Sequence, residues 1–424
     1  MASSPQVVSA TVETRGVYLG LPTYPPTVQG LNAVIFGANG ISGNYMVRVL
    51  SQSPGRWKQV VALSRRPPLT DQHTSKNVRH VQADLLQDPK DIAQVLKDQQ
   101  VRADVVFFFA YIQPAPEEGA IWSNAEELCE VNGRLLQNCL EALELASIRP
   151  KRFLLQTGAK YYGGGLAIPA YESDPRVNEV NFYYTQEDML FEYSRKTAVE
   201  WNVVRPSFIV GAVQDAAMNS VYPLAVYAAV QKHKGEKLIY PGNMAAWERE
   251  VVQSSALLNS YLSEFVTLNE SAGNQAFNAA DSCYFSYGRL WIELAGWYGM
   301  DFTLPDTGSE GFQEMQIFSK TNLSFAPPAM LRFKFTFVQW AQRPENRQAW
   351  RELMSKHDLK GDPFGNDLKR IFEFLDFAVL PPFPITLSVS KARQLDWMAS
   401  VDPIETHREV IEEFAGMKMI PPLG

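Results

Sequence analysis

The sequence predicts an α/β fold, in which a doubly wound parallel sheet is followed by a smaller, mostly helical C-terminal lobe. From residue 31 to about residue 210, short apolar runs alternate with segments of helical pattern, as in parallel sheets with crossover helices. A glycine-rich turn separates the first apolar run from the first helical segment. Residues 284–424 lack this alternation and contain helical patterns, proline clusters and many Phe and Trp residues.

The predicted strands are short and mostly apolar. They lie at 33–36, 59–63, 78–82, 105–109, 152–156 and 202–204. The predicted helices lie at 44–50, 125–145, 184–193 and 221–231. The run at 105–109 is entirely apolar, which is typical of a strand buried on both faces. Two more short strands, at 237–240 and 275–278, are candidates to extend the sheet.

Three glycines follow the first strand at three-residue spacing, namely Gly37, Gly40 and Gly43. A strand, a glycine turn and a helix in this order form a cradle for the pyrophosphate of a dinucleotide. Gly37 allows the tight turn, Gly40 lets the backbone approach the phosphates, and Gly43 lets the helix pack close to the strand. The helix N-terminus adds free N–H groups and the positive end of its dipole. The alternative is an ordinary glycine-rich turn without a ligand.

Ser64, Arg65 and Arg66 follow the second strand, at the position that usually selects between dinucleotides. A free ribose 2′-hydroxyl usually meets an acidic residue there, whereas a 2′-phosphate usually meets arginine. Two guanidiniums and no carboxylate favour NADP(H), because guanidinium–phosphate contacts are strong charge-assisted pairs. The alternative is a pair of solvated arginines. Asp84, after the third strand, either contacts the adenine amine or caps a helix that begins at Leu85.

These features divide the chain into an irregular N-terminal arm over 1–30, an NADP-binding domain over 31–212 and a mainly substrate-binding lobe over 213–424. Strands around 236–282 are expected to return to the first domain. Clefts between a nucleotide-binding domain and a covering lobe are usual ligand sites. The apolar, aromatic character of this lobe predicts a hydrophobic small-molecule substrate. Its aromatic residues form either a homodimer surface or simply a large core.

Composition and charge exclude several other classes of function. The net charge is −7 and no run is rich in Lys or Arg, so neither a nucleic-acid surface nor a membrane-binding surface is expected. The three cysteines and five histidines are scattered, which favours neither a disulfide framework nor a metal site. No apolar run reaches about 18 residues, and the N-terminus lacks the pattern of a secretory signal. A cytoplasmic protein is the default expectation.

The sequence lacks the Tyr-x-x-x-Lys motif that short-chain dehydrogenases usually carry. Two other polar stretches lie where a site is expected. Residues 155–162 read Leu-Gln-Thr-Gly-Ala-Lys-Tyr-Tyr and follow the fifth strand, and residues 181–188 read Asn-Phe-Tyr-Tyr-Thr-Gln-Glu-Asp at the start of a helix.

These motifs resemble those of the progesterone 5β-reductase and iridoid synthase group of atypical short-chain dehydrogenases. The family's Thr-Gly-x-Lys and Asn-Phe-Tyr-Tyr-x-x-Glu-Asp motifs stand at 157–160 and 181–188. Further matches are Arg65-Arg66-Pro67, Arg205-Pro206, residues 226–229, Tyr240-Pro241-Gly242 with Trp247, residues 276–278 and residues 390–392. The resemblance extends from about residue 31 to the C-terminus. It implies a Rossmann-type fold and NADPH-dependent reduction of enones.

By this resemblance, the catalytic residues are Lys160 and the second tyrosine of the motif, Tyr184. Hydride delivered to the β-carbon of an enone leaves negative charge on the carbonyl oxygen. A hydrogen bond from the Tyr184 phenol would stabilise that enolate, and the charge of Lys160 would lower the pKa of the tyrosine while the lysine holds the nicotinamide ribose. On the residues alone, Tyr184 is equally well a core aromatic and Lys160 a solvated turn residue. Tyr183 is expected to pack.

The remaining expected site residues follow from these placements. The expected cofactor contacts are Gly37, Asn39, Gly40, Ile41, Gly43, Ser64, Arg65, Arg66, Asp84, Leu85, Phe109, Ala110, Tyr111, Thr157, Lys160, Pro206, Ser207 and Ile209. The expected substrate contacts are Tyr161, Tyr184, Met218 and Tyr222, with Trp247, Phe337 and Trp340 as weaker candidates. Asn132 is expected to bind backbone or water.

Two departures from the family pattern leave the substrate class open. The loop from Lys160 to Tyr184 is shorter than is usual there, and Tyr161 stands where many plant members have His. Three other functions also stay open: a ketone or aldehyde 1,2-reductase with Tyr184 as proton donor, a non-redox isomerase or cyclase, and a cofactor-sensing regulatory protein. The presence of both Lys160 and Tyr184 argues against the last of these.

Overall fold

The computed structural model describes residues 12–68, 75–114, 124–163, 167–215, 218–305, 308, 310–317, 329–365 and 367–423. The strands are β1 Val12–Arg15, β2 Tyr18–Pro22, β3 Leu31–Phe36, β4 Trp57–Ser64, β5 Val78–Gln82, β6 Val105–Phe108, β7 Arg152–Gln156, β8 Glu200–Pro206, β9 Phe208–Val210, β10 Leu238–Ile239, β11 Gln253–Ser255, β12 Gln275–Ala279, β13 Phe302–Thr303, β14 Gln313–Ile317 and β15 Ala329–Phe333.

The helices lie between these strands and dominate the last third of the chain. They are α1 Ile41–Ser51, α2 Pro89–Asp98, α3 Ala125–Leu145, α4 Phe182–Thr197, α5 Val221–Lys234, α6 Met244–Glu248, α7 Ala256–Leu268, α8 Tyr287–Tyr298, α9 Phe337–Ala341, α10 Pro344–His357, α11 Leu368–Val379, α12 Ser390–Arg393 and α13 Pro403–Gly416. Short 3₁₀ turns lie at Ala159–Tyr162 and Glu270–Ala272.

Seven of the described strands form one parallel sheet in the order β12-β8-β7-β6-β3-β4-β5. The doubly wound parallel sheet predicted from the sequence is therefore confirmed. The strand order reverses between β3 and β6, and ligands of such sheets bind outside the carboxyl ends of the strands at that point. Of the two additional strands predicted, β12 joins the sheet beside β8, whereas β10 pairs with β13 outside it.

Helices cover both faces of this sheet. Alternate residues of each strand point to opposite faces, so both sets of side chains are packed against helices. Ala33 and Ile35 of β3 pack into a cluster with α1 and α7. Val34 and Phe36 of the same strand pack into a second cluster with α2, α3 and α4. The central strands are therefore buried on both faces and give the site a rigid floor.

The C-terminal lobe has its own apolar core, built from α5, α8, α9, α10, α11 and α13. Aromatic rings meet edge to face in this core, for example Tyr227 against Phe337 and Trp340, with ring centroids 5.3 and 5.0 Å apart. Burial of these large rings against one another stabilises the lobe.

The segment 12–22, expected to be part of an irregular arm, instead forms an antiparallel hairpin of β1 and β2. Gly16, with φ of 58°, makes the tight connection that other residues adopt less readily. The hairpin is held because Tyr18 and Leu21 are buried and because the N–H of Leu19 donates to the carbonyl of Ser400, at 2.9 Å. Residues 1–11 of the predicted arm lie outside the described residues.

A buried ion pair joins α4 to β8. Nη2 of Arg205 lies 2.9 Å from Oε1 of Glu187, and the two side chains are 4% and 2% exposed. The guanidinium of Arg205 also lies over the ring of Tyr161, with 3.4 Å from Cζ to the ring centroid. Arg205 depends on this carboxylate for compensation because its charge is out of water, whereas Glu187 also contacts Nη2 of Arg176, at 3.2 Å.

We expect Glu187→Ala to lower the free energy of unfolding by about 3–5 kcal/mol, because it leaves the charge of Arg205 buried without that carboxylate. Urea denaturation followed by circular dichroism measures the change. The control is Glu144→Ala, which breaks the exposed pair of Glu144 with Lys196, whose atoms lie 2.9 Å apart. That variant should lose far less stability, because exposed ion pairs contribute little, and similar losses in the two variants would contradict the prediction.

Candidate active site

A cavity of about 810 Å³ opens at the carboxyl edge of the sheet and extends under the C-terminal lobe. Each residue predicted as a cofactor contact lies in its lining. Because these residues come from the ends of separate strands, only the parallel sheet brings them together. The cavity is therefore the place where the predicted nucleotide site and the lobe meet.

The glycine turn forms one wall of this cavity. Gly37 has φ of 81°, and a Cβ there would lie 2.7 Å from the backbone nitrogen of Ala110. A Cβ at Gly43 would collide with the carbonyl oxygen of Gly37, whereas one at Gly40 meets only that oxygen, at 3.5 Å. Gly40 precedes α1 without a side-chain cap, so the first N–H groups of α1 stay available to a ligand. This cradle fits a pyrophosphate group.

Hydrogen bonds to the backbone hold the loop after β4. Oγ of Ser64 and Nδ2 of Asn39 both donate to the carbonyl of Arg66, each at 2.8 Å. The guanidinium of Arg66 lies 3.2 Å from Asp215, whereas Arg65 is exposed and forms no ion pair with the described residues. The loop therefore presents Arg65 to the cavity as an uncompensated charge.

Asp84 lies in the cavity lining, but it does not cap a helix. Its Oδ1 accepts a hydrogen bond from the N–H of Leu86 at 3.0 Å, in a turn. The next helix, α2, begins at Pro89 and is capped by Asp88, so the alternative in which Asp84 is a helix cap before Leu85 is wrong.

Lys160 stands in the 3₁₀ turn after β7 and lines the cavity. Burial lowers the pKa of its ammonium group to about 8, and the neighbouring Cys129 and Glu179 side chains only partly oppose this shift. A lysine in this position keeps most of its positive charge at pH 7 and loses it within the range in which enzymes are usually assayed.

Tyr183, which was expected to pack, lines the same cavity. Its hydroxyl occupies space left by Gly158, since a Cβ on that glycine would lie 2.8 Å from the oxygen. No described residue hydrogen-bonds to this hydroxyl, and burial raises its pKa, so the phenol keeps its proton at neutral pH. Tyr183 therefore presents a proton donor to the cavity.

Tyr184, predicted as the catalytic tyrosine, does not belong to the cavity lining. Its hydroxyl donates to the carbonyl of Tyr161 at 2.5 Å and accepts from the N–H of Val177 at 3.0 Å. The guanidinium of Arg176 covers its ring, 5.0 Å from the centroid. The geometry thus differs from the prediction that Tyr184 is the catalytic tyrosine. Tyr184 joins two loops, and Tyr183 faces the cavity.

Asn181 ties the lysine turn to the helix that bears Tyr183. Its Nδ2 donates to the carbonyl of Lys160 at 2.9 Å, and its Oδ1 accepts from the N–H of Tyr183 at 3.0 Å. As the N-cap of α4, it also satisfies one of the free N–H groups at the helix start. One amide therefore holds the backbone of Lys160 close to the backbone of Tyr183.

Asn132 shapes the chain after β6 through the backbone, as expected. Its Oδ1 accepts from the N–H of Ile112 at 2.9 Å, and its Nδ2 donates to the carbonyl of the same residue at 3.0 Å. The side chain is fully buried. These bonds hold the segment at Ala110 and Tyr111, which lines the cavity.

The expected substrate contacts are only partly in the cavity. Met218 lines it, but Tyr161 lies beneath the guanidinium of Arg205 and Tyr222 packs on Phe414, with centroids 5.3 Å apart. The weaker candidates Trp247, Phe337 and Trp340 are buried in the core of the C-terminal lobe. An aromatic residue on a helix gives the same sequence pattern in a core as in a cavity wall, so the sequence could not distinguish the two.

The apolar wall comes instead from residues that the sequence did not single out. They include Phe374 and Phe377 of α11, the segment 383–385 and Ile168. Spacing by four and three residues along α11 places Arg370, Phe374 and Phe377 on one helix face. The same spacing also describes a buried helix, so it could not have identified this wall.

The comparisons with known proteins agree with this architecture. The PRISE-like Rossmann-fold domain family matches residues 33–326, which is more than half of the chain. The chain belongs to this family. The resemblance found in the sequence motifs is thereby confirmed.

Several curated relatives are similar to this PRISE-like protein. A 3-oxo-Δ(4,5)-steroid 5β-reductase from Arabidopsis thaliana is 34% identical over 283 residues, which is 63% of this chain and 69% of the relative. An (S)-8-oxocitronellyl enol synthase from Camptotheca acuminata is 34% identical over 285 residues, 64% and 70% of the two chains. A short chain dehydrogenase from Penicillium aethiopicum is 28% identical over 397 residues, 92% and 99% of the two chains.

Solved structures support the fold. A UDP-glucose 4-epimerase from Thermus thermophilus, in complex with NAD, has a TM-score of 0.57 at 14% identity and covers 91% of this chain and 99% of its own. A UDP-glucose 4-epimerase from Thermotoga maritima has a TM-score of 0.56 at 15% identity, with coverage of 91% and 99%. At such identities the likeness shows the fold alone.

No group of His, Cys, Asp and Glu side chains in the part of the chain that the structure describes has an arrangement that could hold a metal ion. None of the described helices has the length and apolar character needed to cross a lipid bilayer.

We expect Gly40→Ala to weaken dinucleotide binding and Gly43→Ala to lower the thermal stability of the protein. Gly40 has φ of −74° and a nearly open Cβ direction, so its alanine should keep the melting temperature within about 2 °C but weaken dinucleotide binding by intruding on the cradle. Gly43→Ala should lower the melting temperature itself, because its Cβ collides with the backbone of Gly37.

Thermal unfolding and a fluorescence titration with NADPH measure the two effects. If Gly40→Ala loses affinity for NADPH but keeps its melting temperature, the result supports the role of Gly40 in the cradle. If Gly40→Ala binds NADPH as tightly as the unchanged protein, the cradle does not hold the pyrophosphate.

Proposed function

We propose that this PRISE-like protein is an NADPH-dependent reductase of a C=C bond conjugated to a carbonyl, acting on a hydrophobic small molecule. The observation on which the proposal rests is that Lys160 and Tyr183 line one cavity together with the glycine turn and Arg65. The name of the Arabidopsis relative describes reduction of a 3-oxo-Δ(4,5)-steroid, in which the double bond is conjugated to the carbonyl. That relative supports the reaction class and leaves the substrate open.

Residues of the cavity suit each end of NADP(H). The cradle of Gly37, Gly40 and the start of α1 fits the pyrophosphate, and the exposed guanidinium of Arg65 fits the 2′-phosphate. Thr157 also lines the cavity, and its Oγ1 is buried without a hydrogen-bond partner among the described residues. When bound, NADPH supplies the hydride.

Tyr183 is the group that we assign to the substrate carbonyl. As the C=C bond is reduced, negative charge develops on the carbonyl oxygen, and a phenol O–H aimed at that oxygen stabilises it. Because burial raises the pKa of Tyr183, the hydroxyl keeps its proton for this role. Its surroundings are largely apolar, which strengthens such a hydrogen bond relative to water.

Lys160 adds positive charge to the same region. With a pKa of about 8, its ammonium group is mostly protonated at pH 7 and helps to compensate the negative charge on the oxygen. As the pH rises through 8 the charge is lost. Turnover that depends on it should therefore fall on the alkaline side.

The substrate is expected beside the wall that α11 provides. Phe374 and Phe377, with Ile168 on the opposite loop, offer apolar surface, and Gln113 and Glu179 are polar groups at the lining. A cavity of this composition favours hydrophobic molecules with one carbonyl as the polar handle.

The experiment that tests the function measures NADPH consumption with a panel of small and bulky enones and determines the product mass. Oxidised cofactor and a product two hydrogens heavier, saturated between the α- and β-carbons, support the proposal. An allylic alcohol would instead show 1,2-reduction. Conversion at constant mass would show an isomerase or cyclase, and either result would overturn the proposal.

We expect Tyr183→Phe to lower kcat by about 10²–10³-fold, because it removes the hydrogen bond to the developing oxyanion. The affinity for NADPH should change little. The matched control is Tyr184→Phe, which loses only the bonds to Tyr161 and Val177 and should cost about tenfold or less. Steady-state kinetics and NADPH titrations on both variants decide the assignment, and the reverse order would return the catalytic role to Tyr184.

We expect Arg65→Ala with Arg66→Ala to weaken the binding of NADPH far more than that of NADH. Each lost charge-assisted contact should cost about 1.5–3 kcal/mol of binding free energy. Titration of the variant and the unchanged protein with both cofactors measures the difference. Equal losses for the two cofactors would show that the arginines do not bind a 2′-phosphate.

A further inference from the structure

The helix α11 borders the cavity along one face. Arg370, Phe374 and Phe377 are spaced by four and three residues, and all three line the cavity. Two of these residues form the apolar wall, whereas Arg370 lies in the first turn of the helix, where Asp367 caps the N–H group of Arg370. A cation on the same helix face as the apolar wall requires a separate explanation.

Asp215 connects Arg370 to the loop that presents the two expected phosphate ligands. Its Oδ1 accepts a hydrogen bond from Nη2 of Arg370, and its Oδ2 lies 3.2 Å from Nη2 of Arg66. The guanidinium of Arg370 therefore lies next to that of Arg66, with one carboxylate between them. Although partial burial opposes the shift, the guanidiniums of Arg370 and Arg66 hold the pKa of Asp215 below its usual range.

The charges of this group do not cancel. Arg65, Arg66 and Arg370 contribute three positive charges and Asp215 one negative charge, which leaves these four side chains with a net charge of +2. A phosphate monoester carries about −1.5 to −2 at pH 7. Each guanidinium has five N–H donors, and Asp215 occupies only one nitrogen on each of its two partners. Within the part of the chain that the structure describes, no other side-chain hydrogen bond engages these two guanidinium groups, so their remaining donors are available to a phosphate.

We propose that Arg370 is a third guanidinium of the 2′-phosphate site, held beside Arg66 by Asp215. This inference rests on the proposed function, since it assumes that the cofactor is NADPH. The C-terminal lobe then contributes directly to cofactor selection, through a helix far from the glycine turn in the sequence. The side chains of Arg370 and Asp215 are each 41% exposed, so they can adjust to a phosphate without disturbing the core.

The test is the binding of three probes to the purified full-length chain: NADPH, NADH and 2′,5′-ADP, which has the phosphate end alone. We expect Arg370→Ala to weaken the binding of NADPH and 2′,5′-ADP by about tenfold, the loss of one charge-assisted contact. NADH should change by less than about twofold, since it lacks the phosphate. The affinities of Arg370→Lys for NADPH and 2′,5′-ADP should lie between those of the unchanged protein and Arg370→Ala, because an ammonium group keeps the charge but lacks the fork of donors.

The matched control is Arg351→Ala on α10, which removes one exposed arginine that does not line the cavity. It should leave all three affinities unchanged, which separates a local contact from a general effect of net charge. Thermal unfolding of each variant establishes that the fold is intact.

The outcomes separate this inference from the proposed function. If the unchanged protein prefers NADPH but Arg370→Ala alters neither affinity, or alters both equally, the inference is overturned and the function stands. If the unchanged protein binds NADH as tightly as NADPH, the NADPH assignment fails, and with it the inference.

Discussion

The side-chain amide of Asn181 joins the two segments on which the proposed chemistry depends. One end donates to the carbonyl of Lys160, and the other accepts from the N–H of Tyr183. Lys160 belongs to a short turn after β7 and Tyr183 to the first turn of α4, and without a bridge their separation would vary with the loop between them. Tyr184 adds a second bond of the same kind, to the carbonyl of Tyr161. Catalysis requires such fixed geometry, because small displacements of reacting groups cost large factors in rate.

The start of α4 is in turn held by the buried interior. Glu187 pairs with Arg205 of β8, and Nε2 of Gln186 donates to the carbonyl of Asn132 at 3.0 Å. Asn132 also binds the backbone of Ile112, after β6. A continuous set of buried polar contacts thus connects two central strands with the helix that presents Tyr183. Buried polar groups that are paired in this way favour one arrangement, since another would leave more donors or a charge unsatisfied.

The cavity is composite. Its phosphate end is built by the sheet, from the glycine turn and the loop after β4, and its apolar wall is built by α11 of the C-terminal lobe. Asp215 lies where the two meet and contacts an arginine from each. Under the proposed function, this arrangement lets the lobe vary its wall for different substrates while the sheet keeps the same cofactor site.

The sequence by itself determined the fold and the edge of the sheet at which the predicted cofactor contacts meet. Apolar runs, a glycine turn and helical periods are local properties, and the ends of parallel strands always meet at one edge, so each predicted cofactor contact lies in the cavity lining. Only the tertiary structure decided which tyrosine faces that cavity. Neighbouring residues on a helix point about 100° apart, and the motif does not reveal which direction the rest of the fold leaves open. The same holds for α11, because its spacing of apolar residues is identical whether the helix face meets a core or a ligand.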